Sequence, residues 1–563
     1  MIGKQLGRWM ILTPLLFGTV SHVASAQKTP EGDASLKFTL RSRVASPELA
    51  GACRVVETAE SWNPRSTAII VCDMWDLHHC LNAVRRETEL APRMDQVLKS
   101  ARERGVTIIH APSSCMDAYK GHPARDRALK TPKSANLPAE IGQWCKKIPA
   151  EEQENYPVDQ TDGGEDDDLA EHARWAAKLT SMGRDPRAPW KSQTAALTID
   201  SARDYISDDG NEIWSVLEER GIGNVILMGV HTNMCVLGRP FGLRQMAKNG
   251  KKVVLMRDMT DTMYNPLKAP FVSHFSGTDR VIDHVERYVC PTVTSDQLLG
   301  GKPFRYKGDT RPHAVFLVAE DEYKTETTLP PFAAKWLAKD YRISFVFDSA
   351  TDKNTLTGAS AIDDADVLIV SVRRRAFPTA QLDAVKRHVA AGKGVVGIRT
   401  ASHAFALRGD SPPPEGHAVW PEFDAEVLGG HYTGHHAVGP KVTLSFGESP
   451  QARAIAKVDA YSIGGREMVV LSSSGSLYKV RPLASSTTTI FMGQIPGQEP
   501  EPVAWTNLTT TGGRVFYTSL GHVDDFKQFN FAVLLRNAID WTAGRAIDPE
   551  VQPASTAAIS FPK

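Results

Sequence analysis

The sequence predicts an α/β protein with two three-layer α/β/α domains, each built on a mostly parallel sheet. Short apolar runs such as Thr67–Cys72 and Lys252–Arg257 alternate with longer amphipathic segments, and this alternation is typical of parallel strands covered by helices on both faces. The same alternation begins again after 300–312, a stretch rich in glycine, proline and charged residues. With 563 residues, of which 42% are hydrophobic, the chain can bury more than one core.

The domain boundaries follow from where this periodicity starts and stops. Before the first predicted strand and after the last predicted helix the periodic pattern is weak, so these ends are assigned to no core. The predicted parts are a signal peptide (1–26), an extended arm (27–62), a first domain (63–299), a linker (300–312), a second domain (313–545) and a loose tail (546–563).

The first residues have the pattern of an export signal. Lys4 and Arg8 form a positive region, Trp9–Val20 an apolar one, and Ala24–Ala26 a cleavage site of small residues before Gln27. We therefore expect a mature protein that begins at Gln27 and resides in the periplasm or outside the cell. No later run reaches the ~18 apolar residues that span a bilayer, so no membrane attachment is expected after cleavage.

The charge balance bears on the class of partner. Lysine plus arginine number 65, and so do aspartate plus glutamate. A nucleic-acid-binding surface usually needs a basic excess, so a small-molecule substrate is the better expectation, and a homo-oligomer stays open.

Export also changes how the seven cysteines are interpreted. All of them lie between positions 53 and 290. In an oxidising compartment some are expected to pair, although their connectivity cannot be deduced from the sequence. An odd number leaves at least one thiol free, and Cys235 is the candidate.

The first domain alternates strands and helices around one long interruption. Between Ala111 and Ile199 the pattern gives way to a polar segment that includes the acidic run Glu165–Asp168. A segment of this length is typical of a lid or a surface insertion, and we expect the acidic run to be solvated. The predicted strands are 67–72, 106–110, 224–228 and 252–257, and the predicted helices are 92–104, 212–220 and 278–288.

The segment Asn224–Pro240 is the centre of the first domain. Its apolar start predicts a buried strand, after which Thr232 or Asn233 can cap a helix that runs through Cys235 toward Met246. A cysteine in the first turn of a helix lies near unpaired N–H groups and the helix dipole, which favour a thiolate. The alternative is that Cys235 is a small apolar filler, since free cysteines are often buried.

Two motifs in this domain carry a family resemblance. The turn G-V-H-T-N-M-C-V at 229–236 resembles the nucleophile turn of the isochorismatase-like cysteine hydrolases, which include nicotinamidases and N-carbamoylsarcosine amidohydrolases. The strand S-T-A-I-I-V-C-D-M-W-D at 66–76 resembles the first strand of that family, which ends in its catalytic aspartate. The resemblance covers roughly 60–295.

The resemblance implies a set of catalytic residues. Cys235 would be the nucleophile and Asp73 the group that takes the thiol proton and later passes it to the leaving amine. Backbone N–H groups at Cys235 and near His231 would form the oxyanion hole, and the Val230–His231 peptide would be cis. Family members place a catalytic lysine roughly forty residues before the cysteine, a position that indicates Lys191, with Lys178 as a weaker substitute.

Other polar and aromatic residues complete the predicted site. Trp75 and Arg239 are candidates to line the pocket, with Trp75 equally interpretable as core. Some nicotinamidases hold a metal with an aspartate and two histidines. The spacing of His78, His79, His110, Asp117 and His122 matches no closed metal motif, so no metal and no cofactor is expected.

The sequence therefore predicts an exported hydrolase that cleaves a carbon–nitrogen bond of a small amide through a Cys thioester. Two alternatives stay open. One is vinyl-ether hydrolysis, which needs the aspartate but not the cysteine. The other is a binding protein whose triad has decayed, an alternative that the poor sequence context of Lys191 supports.

The second half resembles the ThuA-like domain, which is named for trehalose utilisation and is similar in fold to class I glutamine amidotransferases. The matching motifs are Gly392–Ile398, Glu501–Thr506 and Gly513–His522, and the resemblance covers roughly 312–545. The predicted strands are 314–319, 343–347, 367–372, 394–398 and 514–519, and the predicted helices are 331–339, 379–391 and 526–542.

The second domain lacks the nucleophile of an amidotransferase, because no cysteine follows position 290. Arg399, Thr400 and His403 follow a predicted strand directly, at the edge where ligands of α/β sheets bind. Ser402 is adjacent to His403, but neighbours on a turn rarely face each other, so we do not expect a catalytic pair. The remaining candidates for a carbohydrate ligand, with Tyr432 to stack on a sugar face, are His431, His435, His436 and His522.

Overall fold

The computed structural model describes residues 35–409, 411–463 and 466–547. The expected signal peptide (1–26) and tail residues 548–563 lie outside the described residues. Within the described ranges, no helix combines the length and the apolar content that crossing a membrane requires.

The first domain is a three-layer α/β/α unit around an eight-stranded sheet, ordered β2-β1-β8-β7-β6-β3-β4-β5. Strands β3 to β8 pair in parallel. The strands are β1 (Leu36–Ala45), β2 (Cys53–Trp62), β3 (Thr67–Cys72), β4 (Thr107–Ala111), β5 (Tyr205–Ile206), β6 (Asn224–Val230), β7 (Lys252–Asp261) and β8 (Thr292–Val293). The helices are α1 (Leu81–Glu103), α2 (Pro123–Lys130), α3 (Leu169–Ser181), α4 (Gly210–Glu219), α5 (Leu243–Lys248), α6 (His274–Tyr288) and α7 (Asp296–Leu299).

Strand β3 explains how the two faces of this sheet are filled. All six of its residues are buried. Ala68 and Ile70 pack into the core on one face, whereas Ile69 and Val71 pack into the core on the other. A strand buried on both faces reads as a continuous apolar run, which is why the sequence located it correctly.

The expected extended arm is instead a β-hairpin. Strands β1 and β2 pair antiparallel along their whole length, and β1 joins the main sheet through β8. Leu36, Phe38 and Leu40 are buried and alternate with exposed residues, which is the period-two pattern of a half-buried strand. This short alternation is already present in the sequence.

The predicted helix from Thr232 to Met246 is interrupted. A π-helical turn spans Thr232–Val236, and α5 begins only at Leu243. Pro240 lies between them and has no N–H group to continue a helix. In contrast, α1 starts at Leu81, well before its predicted start, and includes Pro92.

The long segment between β4 and β5 packs on the domain, and its acidic run is not merely solvated. Glu165 pairs with His79, and Asp166 pairs with Arg86. The Asp167 carboxylate accepts hydrogen bonds from the first backbone N–H groups of α1, at Leu81 and Asn82. Asp168 caps α3. The acidic run therefore has a structural role, because its carboxylates accept hydrogen bonds from backbone N–H groups that helix N-termini leave unpaired.

The predicted linker also packs closely on the first domain. The Phe304 amide donates to Asp258, and the Tyr306 hydroxyl donates to the carbonyl of Thr260. The Lys307 amide donates to Glu89. Glycine and proline content alone indicated a loose connection, but the two aromatic rings give this segment apolar surface to bury.

The second domain is built on an eleven-stranded sheet, ordered β11-β10-β9-β12-β14-β23-β22-β21-β17-β19-β18. Strands β10, β9, β12, β14 and β23 form its parallel part, and antiparallel strands extend it on both sides. The strands of this sheet are β9 (His313–Ala319), β10 (Arg342–Asp348), β11 (Leu356–Thr357), β12 (Val367–Val372), β14 (Gly394–Ile398), β17 (Val442–Phe446), β18 (Ala460–Ile463), β19 (Arg466–Ser473), β21 (Thr488–Gln494), β22 (Glu501–Leu508) and β23 (Arg514–Thr518).

Two small antiparallel pairs and four helices complete the second domain. Helix α8 begins at Thr325, six residues before its predicted start, and contains Pro330 and Pro331. The pairs are β13 (Phe377–Pro378) with β15 (His417–Ala418) and β16 (Gly434–His435) with β20 (Tyr478–Lys479). The helices are α8 (Thr325–Trp336), α9 (Thr379–Ala390), α10 (Pro450–Ala456) and α11 (Phe529–Thr542).

Candidate active site

Asp73 and Cys235 lie at the carboxyl ends of neighbouring strands. Strands β3 and β6 are parallel, and Cys72 pairs in register with Gly229. The residues that follow these two strands therefore meet at one edge of the sheet. Gly229 has a φ of 116°, and a Cβ there would lie 2.0 Å from the carbonyl oxygen of Cys72. Only glycine allows the two strand ends to approach this closely.

The Asp73 carboxylate is fully buried and held by three donors. Its Oδ1 accepts from the Ser113 amide at 2.8 Å, and its Oδ2 accepts from Arg239 Nε at 3.0 Å. Arg239 Nη2 lies 2.9 Å from the same oxygen. The φ of Asp73 is 47°, a left-handed conformation that is uncommon outside glycine and recurs at functional sites.

Cys235 faces this carboxylate, and its pKa is raised rather than lowered. Burial is the main cause, followed by the negative charge of Asp73. Arg239 and a backbone hydrogen bond from His231 act in the opposite direction but are weaker. The expectation of a resting thiolate is therefore wrong, because burial and a neighbouring carboxylate outweigh the local helix dipole. The thiol is neutral and needs a base to react.

The expected cis peptide is present between Val230 and His231. The backbone of His231 contributes the hydrogen bond to the Cys235 sulfur. Burial lowers the pKa of the His231 imidazole to about 3, so this ring is neutral near pH 7. The Thr232 hydroxyl bonds to Thr260 at 2.6 Å and to the carbonyl of Asp261 at 2.9 Å, which anchors the turn to β7.

Lys191 does not point toward Asp73. Its side chain is exposed, and its Nζ lies 3.4 Å from the carbonyl oxygen of Gly183. The chain bends at Ser192, and it is Gln193 that turns inward, where it forms a bridge with Trp75. The cation beside Asp73 is that of Arg239. The sequence predicted Arg239 only as a residue that lines the pocket.

Trp75 is part of a buried aromatic array. Its indole Nε1 donates to the carbonyl of Ser113 at 3.0 Å. Its ring stacks on Trp190 at 4.5 Å, and the Trp190 ring in turn stacks on His78 at 5.9 Å. The His78 and His231 rings meet edge to face at 4.9 Å. These ring contacts connect Trp75 and Trp190 to His231 in the nucleophile turn.

None of the seven cysteines, all of which the structure describes, is in a disulfide. The expectation that some of them pair is not met in this structure. Cys80 lies 3.4 Å from a carboxylate oxygen of Asp166 and the same distance from one of Asp167. Both carboxylates already serve the ion pair with Arg86 and the cap of α1, which accounts for this cluster without a metal.

A second cluster lies at the carboxyl end of β14 in the second domain. Arg399 stands at the turn where an amidotransferase would carry its cysteine, and its φ is 43°. Its guanidinium lies between two tyrosine rings, with Cζ 4.1 Å from the Tyr323 centroid and 4.6 Å from the Tyr478 centroid. It donates to the carbonyl of Ser519 at 2.5 Å. The tyrosines were not identified from the sequence.

Ser402 and His403 do contact each other, contrary to expectation. The Ser402 hydroxyl lies 3.1 Å from His403 Nδ1, because the short 3₁₀ turn after β14 folds one side chain back on the next. The His403 ring stacks on Tyr432 at 4.6 Å.

The other histidines predicted to line the second site are less involved. His431 and His435 are exposed, and His435 Nδ1 lies 2.8 Å from the carbonyl oxygen of His436. His522 is half-buried and meets the Tyr323 ring at 6.1 Å.

Comparison with known proteins agrees with this division of the chain. Residues 67–269 match the family model described as "Isochorismatase domain", and residues 315–542 match the one described as "Trehalose utilisation" (ThuA). Among curated proteins no match was found.

Three similar solved structures each cover less than half of the chain. A ThuA-like protein from Bacteroides uniformis is 16% identical, covers 43% of this chain and 95% of its own, and has a TM-score of 0.30. A cysteine hydrolase from Pseudomonas syringae pv. phaseolicola is 16% identical over 42% of this chain and 92% of its own, with a TM-score of 0.25. An isochorismatase family protein from Desulfovibrio vulgaris is 14% identical over 41% of this chain and 94% of its own, with a TM-score of 0.22.

The match at 67–269 lies within the segment that forms the first sheet, and the match at 315–542 lies within the second domain. The chain therefore combines an isochorismatase-family hydrolase domain with a ThuA-like domain.

Proposed function

We propose that the first domain hydrolyses a carbon–nitrogen bond of a small amide through a thioester on Cys235. The observation that supports this most is the meeting of Asp73 and Cys235 at adjoining strand ends, with the backbone of His231 bonded to the same sulfur. A nucleophile, a base within reach and backbone donors beside the reacting atom are the parts that acyl transfer needs.

The proton route follows from the raised pKa of Cys235. Burial and the Asp73 charge keep the thiol protonated at rest, so the carboxylate must remove the proton as the sulfur attacks. The attack forms a C–S bond, and the amide oxygen becomes an oxyanion that backbone N–H groups of the turn stabilise. Asp73 then protonates the nitrogen as the C–N bond breaks, and the amine leaves.

The second half of the cycle uses the same carboxylate. A water molecule gives its proton to Asp73 and attacks the thioester carbon. The C–S bond breaks, and the proton returns to the sulfur as the acid product leaves. Asp73 thus carries one proton in each half, and no other group is required to exchange protons.

Arg239 has a positioning role in this scheme. Its guanidinium keeps its proton throughout, so it cannot act as an acid or base. It fixes Asp73 Oδ2 through two contacts, and its Cζ lies 4.6 Å from the Trp144 ring centroid, which restrains the side chain. The family resemblance implied a catalytic lysine, whereas the cation that contacts Asp73 in the structure is Arg239.

The test is a screen of small primary amides and N-carbamoyl compounds, with release of ammonia as the readout. We expect turnover by the wild type and none above background by Cys235→Ala or Cys235→Ser. The matched control is Cys290→Ala, which removes another free, buried cysteine of the same domain. Its turnover should equal that of the wild type.

Two outcomes would favour the alternatives. Full turnover by Cys235→Ala on a vinyl ether, together with loss in Asp73→Asn, would indicate isochorismatase-type chemistry without a thioester. Absence of turnover by the wild type on both substrate classes, with binding retained, would indicate a binding protein.

A further inference from the structure

Four arginines lie near the end of β14 in the second domain, in a region that the proposed hydrolysis does not use. The side chains come from two turns, one after β12 and one after β14. Parallel strands bring the carboxyl ends of β12 and β14 to the same edge of the sheet. The arginines involved are Arg373, Arg374, Arg399 and Arg408.

Arg399 is a buried cation. The residue is 2% exposed, and among the described residues its guanidinium is in no ion pair. Its hydrogen bonds go to neutral acceptors, namely the Ser519 carbonyl, the Tyr323 hydroxyl and Ser476. Its Nε is buried and has no partner within the described part of the chain. Burial of a charge costs desolvation free energy that an opposite charge usually offsets. The two tyrosine rings offset only part of this free energy.

Arg374 is more exposed than Arg399. Its side chain is half-buried, and the structure records no ion pair for it within the described ranges. Its φ is 51°, so two arginines at one edge of the sheet have left-handed backbones. Its backbone amide donates to the carbonyl of His403 at 3.0 Å, which ties the two turns together.

The charges of these arginines also affect the pKa of His403. Burial, followed by the charges of the four arginines, lowers the pKa of its imidazole to about 3. Two carboxylates in this region have other partners. Glu322 pairs with Arg373, and Asp525 accepts from the backbone amides of Gly521 and His522.

We propose that Arg374 and Arg399 form the binding site for the oxyanion of a small hydroxylated acid, a carboxylate or a phosphate. Arg374 contacts the oxyanion from the solvent side, and Arg399 supplies the buried charge beneath it. The tyrosines at positions 323, 432 and 478 offer hydroxyls for the hydroxyl groups of the ligand and rings for its apolar face. The sequence predicted a carbohydrate ligand for this domain, and the proposal specifies that ligand as an acidic sugar.

Calorimetry on the full chain tests this proposal. The probes are D-glucuronate, D-galacturonate and D-glucose 6-phosphate, each compared with neutral D-glucose and D-galactose, and inorganic phosphate shows whether the oxyanion suffices. We expect at least one acid to bind and the neutral sugars to bind weakly or not at all. The carboxylate and phosphate arms distinguish the two sources of the oxyanion.

The variants locate the site. Arg374→Gln should weaken binding of the acid by roughly ten- to a hundredfold, because a hydrogen bond to a charged group is lost. Arg399→Lys should also weaken it, since lysine lacks the planar fork. The control is Arg387→Gln, an exposed arginine of the same domain that pairs with Asp363, and it should bind as the wild type does.

Three results would overturn the proposal. They are no binding of any acid in the panel, equal binding of acids and neutral sugars, and unchanged affinity in Arg374→Gln. Because Arg374 is half-buried and forms no ion pair with any described residue, its replacement should fold even where Arg399→Lys does not.

Discussion

Replacing Asp73 by asparagine tests the site most directly. The carboxylate accepts from the Ser113 amide on one oxygen and from the Arg239 guanidinium on the other. Asparagine has one oxygen and one NH₂ group, so in either orientation an N–H group must face another donor. The change therefore removes the proton carrier and also leaves the arginine partly unpaired.

Both effects have an expected size. Loss of a general base costs about 10²- to 10⁴-fold in rate, so kcat/KM should fall by that factor. Breaking a buried ion pair by removal of one partner costs ~3–5 kcal/mol. The Arg239 side chain keeps 18% exposure, so water screens part of its charge, and we expect a loss of about 2–3 kcal/mol in the free energy of unfolding.

The assay separates the two effects. The kcat/KM is measured on the best amide of the screen, and stability is measured by urea unfolding. Glu151→Gln is the matched control, because Glu151 is also buried and paired with an arginine, Arg244, through two oxygens. It should lose stability but keep its activity. An Asp73→Asn enzyme within tenfold of wild-type kcat/KM would refute the assignment of Asp73 as the base.

Four further outcomes are expected. Lys191→Met should leave kcat/KM unchanged, because this lysine is exposed, and a tenfold loss would show that it reaches the substrate. Peptide mapping after iodoacetamide should find slow labelling of Cys235 near pH 7 that accelerates with pH, since burial and a neighbouring carboxylate raise its pKa, and fast labelling at neutral pH would contradict this. Burial raises the pKa of Glu151, but hydrogen bonds from a histidine and an arginine outweigh this effect. The net pKa of Glu151 therefore falls from 4.5 to about 2. Its contribution is thus present above pH 4.5 and lost as the pH falls toward 2, and this loss should disappear in Glu151→Gln when unfolding is followed against pH. Finally, N-terminal sequencing of the exported protein should begin at Gln27, whereas a soluble product that begins at Met1 would exclude cleavage.

The sequence alone determined the fold class, both ends of β3, and the end of β6 to within two residues. A strand buried on both faces is apolar over most of its length, so β3 and β6 can be recognised from their continuous apolar runs. The residues that follow them, Asp73 and Cys235, were placed by local motifs. Parallel pairing of adjacent strands then makes their meeting a consequence of topology.

Helix limits and loop roles were less predictable. The turn at Cys235 is π-helical and is followed by Pro240, which a helical pattern does not disclose. The acidic run 165–168 looked solvated because composition describes a segment by itself. Its partners are the N-terminus of α1 and Arg86, and both are remote in sequence.

The partner of Asp73 and the ionisation of Cys235 were decided by tertiary structure alone. Arg239 lies 166 residues from Asp73, and Lys191 had the better spacing, but the bend at Ser192 turns the lysine outward. A helix N-terminus favours a thiolate through local dipoles, whereas burial and the charge of Asp73 come from other segments and are stronger in a medium of low dielectric constant. Properties that depend on neighbouring residues in the chain can therefore be predicted from the sequence. The partner of Asp73 and the ionisation of Cys235 depend on charges from distant segments, so only the tertiary structure decides them.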